Sequence, residues 1–252
     1  MRIAILSDIH GNKLALEAVL RDLEHQRKCD EIIVAGDLVW AGPWPVEVVD
    51  RVRAIEAKVI QGNTDAYFGR SSSNVPSGKD DVRFSAQLAW MVEQLGPDRV
   101  EFLANLPFSL RFSPVLDHDL LIVHANPHDL EQTIAPALSD ADLDSLLGDS
   151  AVLDWEVLAF GHVHVPYERR WRDRLLVDVA SVGLPMDGDE RAAYGILEWD
   201  GFAWRVEHRR VLYDVPAVAH QMITGGLPRG KHFAERLISA RRKIARPALA
   251  MG

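Results

Sequence analysis

The sequence predicts an α/β protein, a layered sandwich in which β-sheets carry helices. Three observations point there. Short aliphatic runs alternate with amphipathic helical segments in the N-terminal part of the chain. Five of the aliphatic runs stop at glycine or at polar residues. After Val165 the pattern changes to strand-like runs joined by a turn.

The five runs come in order. Residues 2–7 (RIAILS) lead into Asp8 and His10, and residues 31–35 (EIIVA) into Gly36-Asp37. Residues 57–60 (AKVI) lead into Gly62-Asn63, and residues 119–123 (DLLIV) into His124. Residues 157–160 (VLAF) lead into Gly161-His162-Val163-His164. Aliphatic runs bounded in this way predict buried strands. Between them, Asn12 is placed to cap a helix carrying Leu14, Ala15, Ala18 and Val19 at three- and four-residue steps. Pro45 suits the first position of a second helix, with Val46, Val49 and Val52 on one face. Phe84, Leu88, Met91 and Leu95 predict a third, stopped by Gly96-Pro97. Strand alternating with helix implies crossovers and parallel pairing. Residues 175–179, 193–199 and 203–207 predict further strands, the last two joined by the turn signal Asp200-Gly201. These predict a second sheet packed on the first. Residues 71–81 (SSSNVPSGKDD) predict a mobile loop. Phe233, Leu237 and Ile244 stand near helical spacing and predict a terminal helix docked on the domain.

Composition excludes several classes. A chain of 252 residues suits one large domain or two small ones. With 48% hydrophobic and 26% charged residues it cannot be disordered throughout. Cys29 is the only cysteine, which excludes a disulfide scaffold. No apolar run reaches the ~18 residues of a membrane span. The apolar stretch before Asp8 is too short for a signal-peptide core, so a cytoplasmic protein is expected. The net charge of −9 disfavours general binding to nucleic-acid backbones. The stretch from Arg229 to Arg246 runs against that balance, with seven Lys/Arg and the single acid Glu235.

Asp8, His10, Asp37, Asn63, His124, His162 and His164 carry the chemistry. Each alone has a plain structural explanation, as a turn, a cap or a hydrogen-bonded core residue. Together they end consecutive strand-like runs. In neighbouring strands of one sheet, the C-terminal loops would converge on a single volume. So many carboxylates and imidazoles in one place call for a cation. Carboxylate, amide and imidazole donors without thiolate suit Mn²⁺, Fe, Zn²⁺, Ni²⁺ or Co²⁺. Seven donors exceed one tetrahedral ion and fit two ions sharing a carboxylate. Such pairs, about 3.5–4 Å apart, serve displacement at phosphorus.

The order Asp8-x-His10, Gly36-Asp37, Gly62-Asn63-x-Asp65, His124, Gly161-His162-x-His164 resembles the calcineurin-like metallophosphoesterase superfamily. Residues 181–189 (SVGLPMDGD) resemble the later region of its small prokaryotic phosphodiesterase branch. The resemblance implies a four-layer α-β-β-α sandwich of two mixed sheets. It divides the chain into a phosphoesterase domain over 1–225 and a basic C-terminal helix and tail over 226–252. It assigns Asp8, His10 and His164 to one metal, Asn63, His124 and His162 to a second, and Asp37 to both. Mn²⁺ is the expected loading. The implied reaction is phosphodiester hydrolysis by a hydroxide held between the ions, with Asp37, Asn63 and His124 at the reacting centre. Asn12, Asn63 and Thr64 are the expected contacts to a small phosphoester or nucleotide-like substrate.

Thr64 departs from the superfamily pattern, where a histidine follows the asparagine. A threonine hydroxyl is too weak an acid to protonate a leaving group near neutral pH. That favours diesters over monoesters. Asp65 is expected to orient a ligand histidine or to cap a turn. His128 is a candidate substitute acid, with a surface loop as the plainer reading. Trp40 and Trp44 either stack a base or wedge the Gly-Pro loop. A metal-stabilised scaffold without turnover and a nuclease are the competing functions. No membrane partner is expected, and pairing of subunits through the second sheet or the terminal helix is left open.

Overall fold

Three parallel strands open the chain: β1 (Arg2–Leu6), β2 (Glu31–Val34) and β3 (Lys58–Val59), connected through helices α1 (Lys13–Glu24) and α2 (Pro45–Ala54). This computed structural model describes residues 1–69, 79–148 and 153–241. Most of the predicted mobile loop at 71–81, and Ile244, lie outside those residues. Among the described residues, a 3₁₀ turn (Asp65–Gly69) follows β3, and α3 (Lys79–Ala104) comes next. Gly96 breaks α3 with φ 69° and ψ 170°, which is where the sequence places the stop. The strands β4 (Leu110–Phe112) and β5 (Leu120–Ile122), helix α4 (Asp140–Leu147), and strands β6 (Val157–Phe160), β7 (Tyr167–Trp171) and β8 (Arg174–Asp178) follow. The hairpin β9 (Ala192–Trp199) and β10 (Trp204–Val211) and helices α5 (Val215–Thr224) and α6 (Gly230–Ser239) complete the described fold.

The strands form two five-stranded mixed sheets, ordered β10-β9-β1-β2-β3 and β4-β5-β6-β8-β7. This corrects the simplest expectation from the sequence. The strands that end in polar residues do not share one sheet: β1, β2 and β3 lie in one, β5 and β6 in the other. The hairpin after residue 190 joins the first sheet, antiparallel to β1, instead of building the second. The reason is the pleat. Ile3 and Ile5 of β1 face inward with Ile122, Val157, Ala159 and Val177 of the other sheet, and together they form the core between the sheets. Ala4 and Leu6 point outward beneath helices α1, α2, α3, α5 and α6, in a core holding Leu16, Val49, Met91, Val218 and Leu237. Leu158 and Phe160 of β6 point outward beneath α4, against Leu143 and Leu147. Strands buried on both faces carry continuous aliphatic runs. Two sheets between two helical layers make the α-β-β-α sandwich. Val48 takes the buried place on α2 that the periodicity gives to Val46.

Candidate metal centre

Both sheets direct the C-terminal ends of their parallel strands to one edge of the sandwich. There the chain makes a run of sharp turns. Asp8 (φ 53°), His10 (48°), Asp37 (56°), His162 (64°) and His164 (63°) all take the left-handed conformation. Such a conformation costs a non-glycine residue about 1–3 kcal/mol and persists only where neighbours enforce it. Here the turns lock each other. The amides of Asp8, His10 and Gly11 donate to the carbonyls of Gly36, Asp37 and Leu38 at 3.0, 2.9 and 2.8 Å. Across the sheets, the His162 amide donates to Asp8 Oδ2 at 2.9 Å. The segment after β8 backs the site. The Ser181 hydroxyl donates to the Asp8 carbonyl at 2.8 Å, and the Gly183 amide donates to it at 3.0 Å. Two glycines make the approach possible. A Cβ on Gly62 would overlap the Asp37 carboxylate, and one on Gly161 would overlap Ser7 and Asp8.

The imidazoles are oriented by backbone carbonyls. Nδ1 of His10, His124 and His164 lies 2.8, 2.8 and 2.5 Å from the carbonyls of Trp40, Ala35 and Leu184. A carbonyl only accepts, so each Nδ1 carries a proton and each ring turns Nε2 inward. The inward atoms then oppose one another. His10 Nε2 stands 3.3 Å from His164 Nε2, and His164 Nε2 stands 3.0 Å from Asp8 Oδ1. His124 Nε2 stands 3.0 Å from Asn63 Oδ1 and 3.5 Å from Asp37 Oδ1. Acceptor facing acceptor in a buried site is repulsive unless positive charge lies between them. The donor set therefore fits divalent cations. His162 is turned the other way, its Nε2 3.0 Å from the Glu131 carbonyl, which leaves Nδ1 as its second nitrogen.

Two groups of side chains could each hold an ion: Asp8, His10 and His164, and Asp8, Asp37 and His124. Asp8 belongs to both, which the resemblance does not imply. Asp37 spans the two groups, with Oδ1 toward His124 and Oδ2 3.8 Å from His10 Nε2. Burial pushes His10 down to about 4, so its ring is neutral at pH 7. Burial and the neighbouring His124 hold His162 below its usual range. His124 is raised, because Asp37 and Asp8 outweigh its burial.

The residues around these groups divide. Thr64 donates its amide to Asp37 Oδ1 at 2.9 Å. Its Oγ1 is buried with no hydrogen-bond partner among the described residues, and the side chain lines the cavity beside the centre. Asn63 Nδ2 reaches Glu131 Oε2 at 3.3 Å. Asn12, expected at the substrate, is a correction. Its Oδ1 accepts from Ala15 at 3.1 Å as the cap of α1, and its Nδ2 donates to the Gly183 carbonyl at 3.0 Å. The amide is spent at both ends and fully buried. Among the described residues Asp65 makes no hydrogen bond to a histidine; its carboxylate accepts three backbone amides, of Asp37, Gly62 and Leu38. Burial, and the Asp37 charge after it, push Asp65 up to about 7. His128 is exposed and turns to the Leu147 carbonyl. Trp40 faces the cavity in an aromatic cluster with Tyr67 and Phe84, while Trp44 precedes α2 and packs on its core.

The cavity has a volume of about 340 Å³. His10, Asp37, Asn63 and His164 form its floor, and Arg229, His232 and Arg236 of the α6 segment reach its rim. Sequence reasoning missed this last contribution, as it missed Tyr67 and Glu131. Only the clustering of basic residues after Arg229 signalled it.

Residues 1–201 match the calcineurin-like phosphoesterase superfamily domain, and the chain belongs to that superfamily. By class it is a phosphoesterase. It is 30% identical to a metallophosphoesterase from Sphaerobacter thermophilus whose crystal structure superimposes with a TM-score of 0.75, covering 95% of this chain and 100% of that one. It is 27% identical to the uncharacterized protein MJ0912 of Methanocaldococcus jannaschii, over 95% of this chain and 98% of that protein. It is 24% identical to the phosphodiesterase YfcE of Escherichia coli, over 79% of this chain and 89% of that protein. No described helix is long and apolar enough to cross a membrane.

Proposed function

We propose that this chain hydrolyses phosphodiesters at a centre of two divalent cations held by Asp8, His10, Asp37, Asn63, His124, His162 and His164. The opposed acceptors carry this reading: His10 Nε2 against His164 Nε2 at 3.3 Å, and His124 Nε2 against Asn63 Oδ1 at 3.0 Å. When bound, a cation pair neutralises charge on the phosphoryl oxygens and lowers the pKa of a coordinated water. We assign Asp37 as the residue shared between the two ions, its oxygens turned to different histidines, with Asp8 also reaching both groups. The carbonyls behind His10, His124 and His164 keep Nδ1 protonated and Nε2 available, a support that raises ligand basicity. Mn²⁺ is our assignment for the metal, with Fe, Zn²⁺, Ni²⁺ or Co²⁺ satisfying the same donors.

Thr64 supports diesters as the substrate. It donates no useful proton to a leaving group near pH 7, but its buried Oγ1 is placed to donate a hydrogen bond to a substrate oxygen. A small diester with a good leaving group needs no more. The aromatic wall of Trp40, Tyr67 and Phe84 suits a ring on that diester, as in a nucleotide. The phosphodiesterase relative supports the same reading.

The test is direct. The Mn²⁺-loaded full chain is expected to hydrolyse bis(p-nitrophenyl) phosphate, and chelator is expected to abolish the activity. A protein that binds two metals per chain yet turns over no diester or monoester would be a scaffold, and the proposal would be lost.

A further inference from the structure

We propose that α6 reads a second anionic group on the substrate, so that the preferred substrate is a phosphoester carrying another phosphate beyond the one cleaved. This rests on the reading of the centre given above and names the substrate class. His232 and Arg236, four residues apart, share one face of α6, and Arg229 is its N-cap with φ 60°. That face lines the cavity whose floor is the cluster of acceptors. These residues lie beyond residue 201, where the superfamily match ends. They belong to a segment that packs over the site.

The placement is fixed by packing. Phe233, Ala234 and Leu237 are buried in the same core as α1 and α2. Gly230 lies so close to the Met222 carbonyl of α5 that a Cβ there would overlap it. At the other end of α6, the Gly188 amide donates to the Ala240 carbonyl at 2.8 Å. Arg236 Nη2 donates to Met186 Sδ at 3.7 Å, and the Met186 amide donates to the His164 carbonyl at 3.0 Å. One side chain and one peptide thus separate the Arg236 guanidinium from a candidate ligand histidine.

Charge decides what the face is for. The chain carries −9 overall, yet among the described residues lining this cavity Asp37 is the only acid, against two arginines. Asp37 belongs to the cation-binding floor. A single phosphodiester has one negative charge, and the floor with its cations already meets it. The guanidinium groups of Arg229 and Arg236 bring two further positive charges to the cavity. They suit a further phosphate, which arginine grips by paired hydrogen bonds. An aromatic cluster also lines the cavity, with the ring centroids of Trp40, Tyr67 and Phe84 within 5.2 Å of one another. A substrate with a ring and an extra phosphate fits both groups of residues, which is the chemistry of a nucleoside polyphosphate.

Calorimetry on the full chain at fixed excess Mn²⁺ tests this, with methylenebisphosphonate as the probe and methylphosphonate as the single-charge-group control. The P–C–P bridge cannot be hydrolysed, so binding is read without turnover. The wild type is expected to prefer the bisphosphonate by at least about tenfold, as for one hydrogen bond to a charged group. Arg229→Gln and Arg236→Gln are expected to lower that ratio, and the Lys variants to restore part of it. Should Arg236→Gln disturb the Met186 contact and the fold, exposed Arg229→Gln decides alone. A ratio unchanged in folded Gln variants overturns the clamp. Hydrolysis of bis(p-nitrophenyl) phosphate is scored separately. An inert protein whose probe ratio still falls in the variants would end the phosphodiesterase reading and keep the clamp.

Discussion

Asp65 holds Asp37 without touching its carboxylate. Asp65 Oδ2 accepts the Asp37 amide at 2.7 Å and the Gly62 amide at 3.0 Å, while Oδ1 accepts the Leu38 amide at 3.1 Å. One buried carboxylate therefore ties the loop after β3 to the loop after β2. Asp37 sits between with its backbone at φ 56°, a conformation it would not keep unaided.

Asp65→Asn replaces one acceptor oxygen with an NH₂ group facing a backbone N–H. Leaving a buried donor unpaired costs about 1–3 kcal/mol. The expected outcome is lower stability in denaturant and metal affinity weaker by about 10–100-fold, the usual loss for a residue supporting a ligand. Unchanged metal affinity in the variant would show that the loop keeps its shape without the clamp.

Asp37→Asn tests the shared carboxylate. The substitution is nearly isosteric and removes the charge between the two groups. Metal analysis is expected to find fewer than two ions per chain. The rate on bis(p-nitrophenyl) phosphate is expected to fall by more than about a hundredfold, beyond the loss seen for residues that only support ligands. Normal metal content and rate would refute the bridging role. Thermal stability of the metal-free variant should rise or stay level, since like charge is removed from beside Asp8 and Asp65.

The site was legible in the sequence because its signal is local. An aliphatic run that stops at a glycine, a carboxylate or an imidazole shows in six or seven residues, and all five such runs end at the centre. Strand partnership is not local. Nothing in residues 157–160 or 193–199 says which belongs beside β1, so local pattern alone does not assign the hairpin to its sheet. β4 has three residues, too few for any periodicity, and β7 carries Glu168, Arg169 and Arg170, which hide the strand in charge. The helix α4 begins Asp-Ala-Asp and announces itself mainly through the Ser139–Asp142 capping box. Asn12 was half legible: a cap is visible in sequence, but the Gly183 carbonyl that takes its amide lies 171 residues away.

The pH dependence of the metal-free fold follows from His10. Burial holds this imidazole at about 4, against 6.5 when exposed. Between those values the unfolded chain binds a proton there and the folded chain does not. Stability therefore falls as pH drops through that window. Chemical denaturation of chelated wild type and His10→Asn from pH 7 to pH 4 isolates the effect, because His124 and His162 remain in both. The wild type should lose more stability than the variant on acidification. Parallel profiles would mean that His10 is free to protonate in the fold.

Thr64 separates recognition from folding. Its Oγ1 is buried with no partner among the described residues, and its amide is already committed to Asp37 Oδ1. Thr64→Val keeps the shape and the amide and removes only the hydroxyl. An unpaired buried hydroxyl stabilises nothing, so the variant should be as stable as the wild type or more so. A substrate oxygen that accepts from Oγ1 would lose that bond. The expected fall in kcat/KM on bis(p-nitrophenyl) phosphate is about ten- to a hundredfold, the value of one hydrogen bond to a charged group. Equal stability with equal kcat/KM would place the hydroxyl away from the substrate. Thr64→His asks the complementary question at the same position. An imidazole there can protonate a poor leaving group. The ratio of p-nitrophenyl phosphate to bis(p-nitrophenyl) phosphate hydrolysis should therefore rise in Thr64→His. If it does not, the lack of an acid at residue 64 is not what selects diesters.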